Sequence, residues 1–358
     1  MTIRSMGVVA AMTVLAGCAA CDCGRGTAVP AGCDASADEF ARRPGETDDS
    51  ARLQRLVEAV SPYGVAYVPA GVYELASPLA ITNRASLMMH KSAVLRAVKP
   101  MDYVLKVDNA VQWGHRPGNR AEGRGVLPGD RVEDYNFFVV GGMLDGNGLA
   151  SCMNLENYHH FNLRDVTFLN GLKFGLRLDD TGHGYELIAD NCYFKTVIHG
   201  CKGNVAVCLT GSDSHFVDCV VVDYTTGFRI CGGANRLTRC HVWGGPVREM
   251  LDDSVNYDID GEANILRDCY ADTGKTGFLV AGRAHRFNGC DYFANDVFKL
   301  NDITIVRQNG GDVLFSECKF SKNASSVKVY EGEGRITWRD MFYTGFGAND
   351  PLPANSSF

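Results

Sequence analysis

The chain is short of positive charge, of proline and of long apolar runs. Its 35 lysines and arginines face 42 aspartates and glutamates over 358 residues, a net charge of −7. A protein whose main partner is nucleic acid needs a basic surface to neutralise phosphates, so that class is excluded. Prolines number 11 against 40 glycines, which points to many tight turns. No stretch beyond the first 17 residues is long and apolar enough for a transmembrane helix. The chain also lacks a glycine-rich phosphate loop, a His-Glu-x-x-His element and a Gly-x-Ser-x-Gly elbow. What is present is ordinary for a folded protein: 46% hydrophobic and 10% aromatic residues, enough for a core. The length fits two or three domains, or one repetitive domain.

Met1 to Gly17 begins with Arg4 and continues as an apolar run from Met6 to Ala16. The run is too short to cross a bilayer and has the form of an export signal. Leu15-Ala16-Gly17-Cys18 resembles the lipobox of bacterial lipoproteins. The resemblance implies cleavage after residue 17 and lipidation of Cys18. With Ala19 next, it implies an outer-membrane lipoprotein, periplasmic or at the cell surface; a plain secretory signal is the alternative. Residues 18–37 are small and polar and read as a flexible tether. Cys21-Asp22-Cys23 within it is a poor metal site.

The body, residues 38–346, is a repeat. Cys192, Cys219, Cys240, Cys269, Cys290 and Cys318 are separated by 27, 21, 29, 21 and 28 residues. Their contexts match: Phe216-Val217-Asp218-Cys219, Leu237-Thr238-Arg239-Cys240, Leu266-Arg267-Asp268-Cys269. Leu163-Arg164-Asp165-Val166 and Trp338-Arg339-Asp340-Met341 extend the pattern at both ends. A second alternating strand precedes three of the cysteines, as in Gly227-Phe228-Arg229-Ile230 and Asn256-Tyr257-Asp258-Ile259. Period-two alternation broken by turn residues every 21–29 positions predicts an all-β, single-stranded right-handed parallel β-helix of about ten coils. The cysteines then form a ladder at an inward bend. Buried free thiols and disulfides are both compatible with it.

The segment Thr47-Asp48-Asp49-Ser50-Ala51-Arg52-Leu53-Gln54 opens a short amphipathic helix reaching about Val60. Val65-Ala66-Tyr67-Val68-Pro69-Ala70-Gly71-Val72-Tyr73 follows, and Gly142-Met143-Leu144-Asp145-Gly146-Asn147-Gly148 comes later. These elements resemble the entry segment and a recurrent turn of the pectate-lyase-like β-helix superfamily. The resemblance covers Glu46 to about Phe346 and implies that the helix caps the open end of the solenoid. It is poor for reaction, because the superfamily includes lyases, hydrolases, fructan transferases, epimerases and phage tailspikes. The tail, residues 347–358, offers no capping helix, so a tailspike-like homo-oligomer covering that end is one expectation.

By the same resemblance, one strand face forms a groove for a polymer chain. The register places Asn154, Arg177, Cys208, Arg229, Asp258, Leu279, Arg307 and Lys328 on it, one per coil. Arginine forks suit carboxylates and sulfates, so Arg177, Arg229 and Arg307 are candidate ligands for an anionic saccharide such as a uronate polymer; a merely solvated strand face is the alternative. A second row, Asp223, Asp252, Asp253, Asp272 and Asp296, is expected in the loops before these strands. Asp223 joins the candidate substrate-binding residues. Glycoside hydrolysis needs two carboxylates, and neighbouring coils, about 4.8 Å apart, can supply them. Asp252, Asp253 and Asp258, with Asp260 nearby, are the candidate acid, base or Ca²⁺-binding residues. Ordinary turn aspartates are the bland alternative. No cofactor is required on this reading.

Three segments are set apart. Asp108 to Asp134 lacks strand patterning and carries Trp113, His115, Arg116, Arg120, Arg124 and Arg131; it is expected to line the groove or to be a solvated insertion. Asp179-Asp180-Thr181-Gly182-His183-Gly184 has the wrong spacing for a polygalacturonase-type site, though Asp180 and His183 form a minor candidate. His159 and His160 are adjacent and would point to opposite faces of a strand. The expectation is an exported carbohydrate-active enzyme that cleaves a polysaccharide or oligosaccharide by hydrolysis or β-elimination, touching the membrane only through its lipid. A non-catalytic glycan-binding adhesin or tailspike-like solenoid is the rival, and a fructan-type transferase is a further one.

Overall fold

The computed structural model describes residues 29–346, apart from 62, 83, 109–136, 159, 180–183, 246, 295–298 and 323–325. The expectations for residues 1–28 (Cys18 included), for 109–134, for His159, Asp180, His183 and Asp296, and for 347–358 lie outside the described residues.

Each coil of the chain contributes three short strands, and equivalent strands stack in parallel into three columns, as the cysteine spacing predicted. The first column runs from Leu79–Ile81 through Tyr103–Asp108, Ser151–Glu156, Phe174–Asp179, Val205–Leu209, Thr226–Ile230, Val255–Ile259 and Thr276–Val280 into the first half of Ile303–Ser316. The second includes Ile188–Asp190, His215–Val217, Arg236–Thr238 and Ile265–Arg267. The third, from Gly71–Leu75 to Phe342–Thr344, has eleven strands among the described residues. The result is a right-handed parallel β-helix. The first two columns merge in one sheet because Ile303–Ser316 and Val327–Arg339 turn the corner without a break, through an irregularity between Asn309 and Asp312.

The coil interior is filled by like residues stacked on like. Phe228, Tyr257 and Phe278 lie ring on ring at 5.6 and 5.4 Å, all fully buried. Phe287 and Phe315 stack at 4.3 Å. Each outward residue alternates with such a core residue, which is why the strands read as period two.

The corner between the second and third columns explains the cysteines. One residue there adopts a left-handed conformation: Asp165, Asn191, Asp218, Arg239, Asp268, Gly289, Glu317 and Asp340. The next residue is thrown inward, and six times it is cysteine. Each of these thiols donates to two backbone carbonyls, one on its own coil and one on the coil before; Cys240, for example, reaches Thr238 O at 3.7 Å and Phe216 O at 3.5 Å. Cysteine is small, apolar and able to donate, so it suits a bend that leaves carbonyls facing inward. The six are free thiols, and burial pushes those of Cys240 and Cys290 far above the ordinary value.

The corner between the first and second columns holds two further ladders. Gly211, Gly232, Gly261, Gly282 and Gly311 repeat at 21 to 29 residues, and a Cβ on each would strike the carbonyl of the coil before. Beside them Ser214, Asn235, Asn264 and His285 are fully buried and linked. Asn235 Oδ1 accepts from Ser214 N (2.9 Å), Asn264 Oδ1 from Asn235 N (3.0 Å), and His285 Nδ1 from Asn264 N (3.3 Å). The side-chain amides also donate to Gly211 O and Gly232 O at 3.0 and 2.9 Å. Backbone groups at a tight corner miss their strand partners, and these side chains replace them.

The helix Ser50–Ala59 closes the N-terminal end. Gln54 pairs with both backbone groups of Ala80, its Oε1 accepting from Ala80 N (3.0 Å) and its Nε2 donating to Ala80 O (3.0 Å). It stands in for a strand on the edge of the first column, where unpaired groups would otherwise recruit another chain. Ser50 Oγ accepts from the Ala76 and Ser77 amides. Asp49, buried, accepts from Arg42, Arg52 and the Glu74 amide at 2.6–2.9 Å. Burial works against its charge, but these donors win and hold its carboxyl below the usual range. No helix among the described residues is long and apolar enough to cross a membrane.

Candidate functional site

The outward face of the first column carries three parallel rows, because each strand presents three side chains to solvent. The middle row is in register as Lys106, Asn154, Arg177, Cys208, Arg229, Asp258, Leu279 and Arg307. The order expected from the sequence holds from Asn154 to Arg307. It fails at the next coil, where Glu331 and not Lys328 opposes Arg307. The two extra glycines in the long strand shift the count.

Much of the cationic row is internally neutralised. Arg229 Nε donates to Asp258 Oδ2 at 2.8 Å, and Arg307 pairs with Glu331 at 3.2 Å. Asp258 is thereby tied to its neighbour on the face. Asp252 and Asp253 sit at the other end of that strand, at the third-to-first corner, where Asp253 pairs with Lys202 at 2.6 Å. Five residues of strand separate Asp253 from Asp258, roughly 16 Å, so the structure does not gather this trio. Asp223 is buried at 2% exposure, and its Oδ1 accepts from Val247 N at 3.1 Å. Its left-handed backbone turns it inward to brace the next corner. Burial raises its carboxyl above the usual range. Asp272 ends a strand of the third column. Among the described residues no group of three His, Cys, Asp or Glu converges as a metal site would.

At the N-terminal coils the same face is different. Arg177 lies over the Phe174 ring at 5.4 Å and donates to Tyr103 Oη at 3.5 Å; Lys106 lies over the Tyr103 ring at 5.7 Å. Tyr103, Phe174 and Arg177, with Asp102, Ser151 and Lys173, line a cleft of about 590 Å³. That volume suits one or two sugar rings. Two residues further along each strand comes a row of carboxylates. Asp108 and Glu156 are register partners on neighbouring coils, and Asp179 is the backbone partner on the next. Asn154 Nδ2 donates to Glu156 Oε1 at 2.6 Å, and Asn157 Nδ2 to Asp108 Oδ1 at 2.8 Å. Parallel strands lie about 4.8 Å apart, close to the carboxyl separation of about 5–5.5 Å used for hydrolysis with retention. Sequence reading stopped at one outward residue per coil. Stepping two positions along from Asn154 and its partners would have reached this row.

The third-to-first corner makes one wall of the groove. Its loops at 196–204 and 247–254 touch: Gly200 N donates to Glu249 Oε1 at 2.6 Å beside the Lys202–Asp253 pair.

No protein-family model and no curated protein matches the chain. Solved structures do match in shape. ORF18 of Geobacillus virus E2 superposes with a TM-score of 0.60 at 14% identity, over 86% of this chain and 61% of that one. The chain thus spans less than two thirds of that neighbour. The endo-xylogalacturonan hydrolase from Aspergillus tubingensis gives 0.61 at 10% identity, over 87% and 95%. PfbA, a surface adhesin of Streptococcus pneumoniae, gives 0.54 at 11% identity, over 86% and 91%. At such identities the likeness is one of fold, that of the pectate-lyase-like parallel β-helix proteins.

Proposed function

We propose that this parallel β-helix is an exported polysaccharide-cleaving enzyme, held to the outer membrane through Cys18, whose chemistry sits at Asp108 and Glu156. The observation that carries the reading is the meeting, on three adjacent coils, of a paired carboxylate row, a cationic row and an aromatic cleft. The similarity of fold to a hydrolase of xylogalacturonan supports the substrate class. In the reaction one carboxyl gives its proton to the glycosidic oxygen as the leaving sugar departs. The other carboxylate attacks the anomeric carbon. Water then cleaves that ester, returning its proton to the first group and releasing the second. Arg177, braced by Phe174 and Tyr103, holds an acidic sugar in the cleft through its planar fork. Asp252 and Asp253, with Lys202, edge the groove further along.

A glycan-binding adhesin is the second reading. Asparagine amides donate to both carboxylates, which favours their charged forms and disfavours a proton donor. The test uses the chain from about Ala37 onward with uronate, neutral and fructan polysaccharides. Reducing ends without an ultraviolet-absorbing unsaturated product, lost in Glu156→Gln with binding retained, are expected. An unsaturated product would refute the carboxylate pair in favour of elimination. Binding without any product from the wild type would leave the adhesin.

A further inference from the structure

The third column has its own outward face, and it is aromatic. Its inner residues Phe194, Val221, Val242, Ala271 and Tyr292 are buried. Between them two rows point outward on consecutive coils. One is Tyr193, Val220, His241 and Tyr270; the other is Val222, Trp243, Asp272 and Phe293. The His241 and Tyr270 rings stack at 4.7 Å and 14°, which makes them one continuous flat platform. Trp243 and Phe293 flank Asp272 in the next row. Thr273 Oγ1 donates to Asp272 Oδ1 at 2.5 Å.

We infer that this strip is a second saccharide-binding surface, separate from the groove, which holds a neutral glycan chain along the solenoid axis. Sugar rings have apolar C–H faces and a rim of hydroxyls. Flat rings take the faces, and a carboxylate such as Asp272 accepts from the rim. The charges within the strip itself are negative, Asp272 and Asp291, with Lys195 and Lys319 only at its ends. An anionic chain is therefore disfavoured here, in contrast with the Arg177 cleft. Dimensions set this occupant apart from a protein. Five strands by two rows cover on the order of 20 by 10 Å, or about 200 Å². A stable protein interface needs about 800 Å² per partner. A single glycan chain fits that width.

The inference goes beyond the proposed cleavage reaction and stands or falls independently of it. The probe is native electrophoresis of the soluble domain through gels containing xylan, a β-glucan or dextran. The wild type and Glu156→Gln are expected to be retarded by at least one of the three. Trp243→Ala and Tyr270→Ala should weaken that binding roughly tenfold each, about 1.4 kcal/mol, and Trp243→Phe should restore most of it. Unchanged thermal unfolding of the variants excludes misfolding as the cause. Retardation equal in wild type and alanine variants, or none in the wild type, would overturn the inference. So would a wild-type dimer in sedimentation that Trp243→Ala dissociates, because the face would then be a protein interface.

Discussion

Replacing Gly232 by alanine tests whether the glycine ladder is dictated by coil spacing. A Cβ at Gly232 would overlap the Gly211 carbonyl oxygen and lie 2.6 Å from Thr210 O, against an ordinary contact of 3.4 Å or more. Gly232 does not need a left-handed backbone, so its substitution isolates the close approach from conformational strain. Relief requires the two coils to part by close to an ångström at that corner. The bond from Cys231 N to Leu209 O, 2.8 Å long, spans the same gap and would stretch. Overpacking of this kind costs about 1–3 kcal/mol, and a weakened backbone hydrogen bond adds about 1 kcal/mol. A total near 2–3 kcal/mol lowers Tm by about 4–8 °C in a domain of this size. Gly233→Ala is the control, because its nearest atom, Glu262 O, is 3.2 Å away and can yield by a few tenths. Thermal unfolding followed by circular dichroism is the assay. If Gly232→Ala melts within a degree of the wild type, or no lower than Gly233→Ala, the ladder is not held by spacing and the reasoning is wrong.

Asp49→Asn should destabilise the domain at neutral pH by on the order of 2 kcal/mol, since two arginines and the Glu74 amide lose a charged acceptor. Asp49 titrates near 3.9 when unfolded and lower when folded, so its contribution is complete above that value and disappears as pH falls through the folded one. Denaturant titrations from pH 6 to pH 2 should therefore show a smaller acid loss in the variant than in the wild type; parallel losses would contradict the assignment. Cys231 is exposed, but partial burial and its neighbours Cys208, Asp258 and Asp260 push its thiol up to about 11. A thiol-disulfide reagent should label it slowly at pH 8 and faster with each step toward pH 11. The six ladder cysteines should stay silent until the chain is unfolded, and their rapid labelling in the native state would show that the corner opens.

The fold was legible because a solenoid repeats its physics. One inward bend per coil puts a cysteine at one spacing, and that column alone sets the strand count and the face of Arg177 and Arg229. The glycine ladder runs at the same rhythm, yet a glycine could signal any turn, and only the stacked backbones show that a Cβ is forbidden. The site was less legible. Asp252, Asp253 and Asp258 are close in sequence but lie along an extended strand, so proximity in number became distance in space. Asp108 and Glu156 are 48 positions apart and touch through register. Asp223 had the composition of a ligand but a left-handed backbone that buried it. The N-terminal helix was readable to its last turn, whereas the bridging role of Gln54 needed the strand edge beneath it.

The alternation of spacings in the cysteine column has a consequence for the groove. Coils of 21 residues have tight third-to-first corners, such as 223–225 and 273–275; the longer coils spend their extra residues there, as at 196–204 and 247–254. The wall beside the first column is thus toothed at every second coil, about 9.6 Å apart. Two teeth clasp across the bare coil through Gly200, Glu249, Lys202 and Asp253. The smallest piece that can be removed or duplicated while keeping the tooth spacing is accordingly a pair of coils. A single-coil deletion would keep every strand partner but jam two teeth together, changing the rim of the groove while leaving its floor intact.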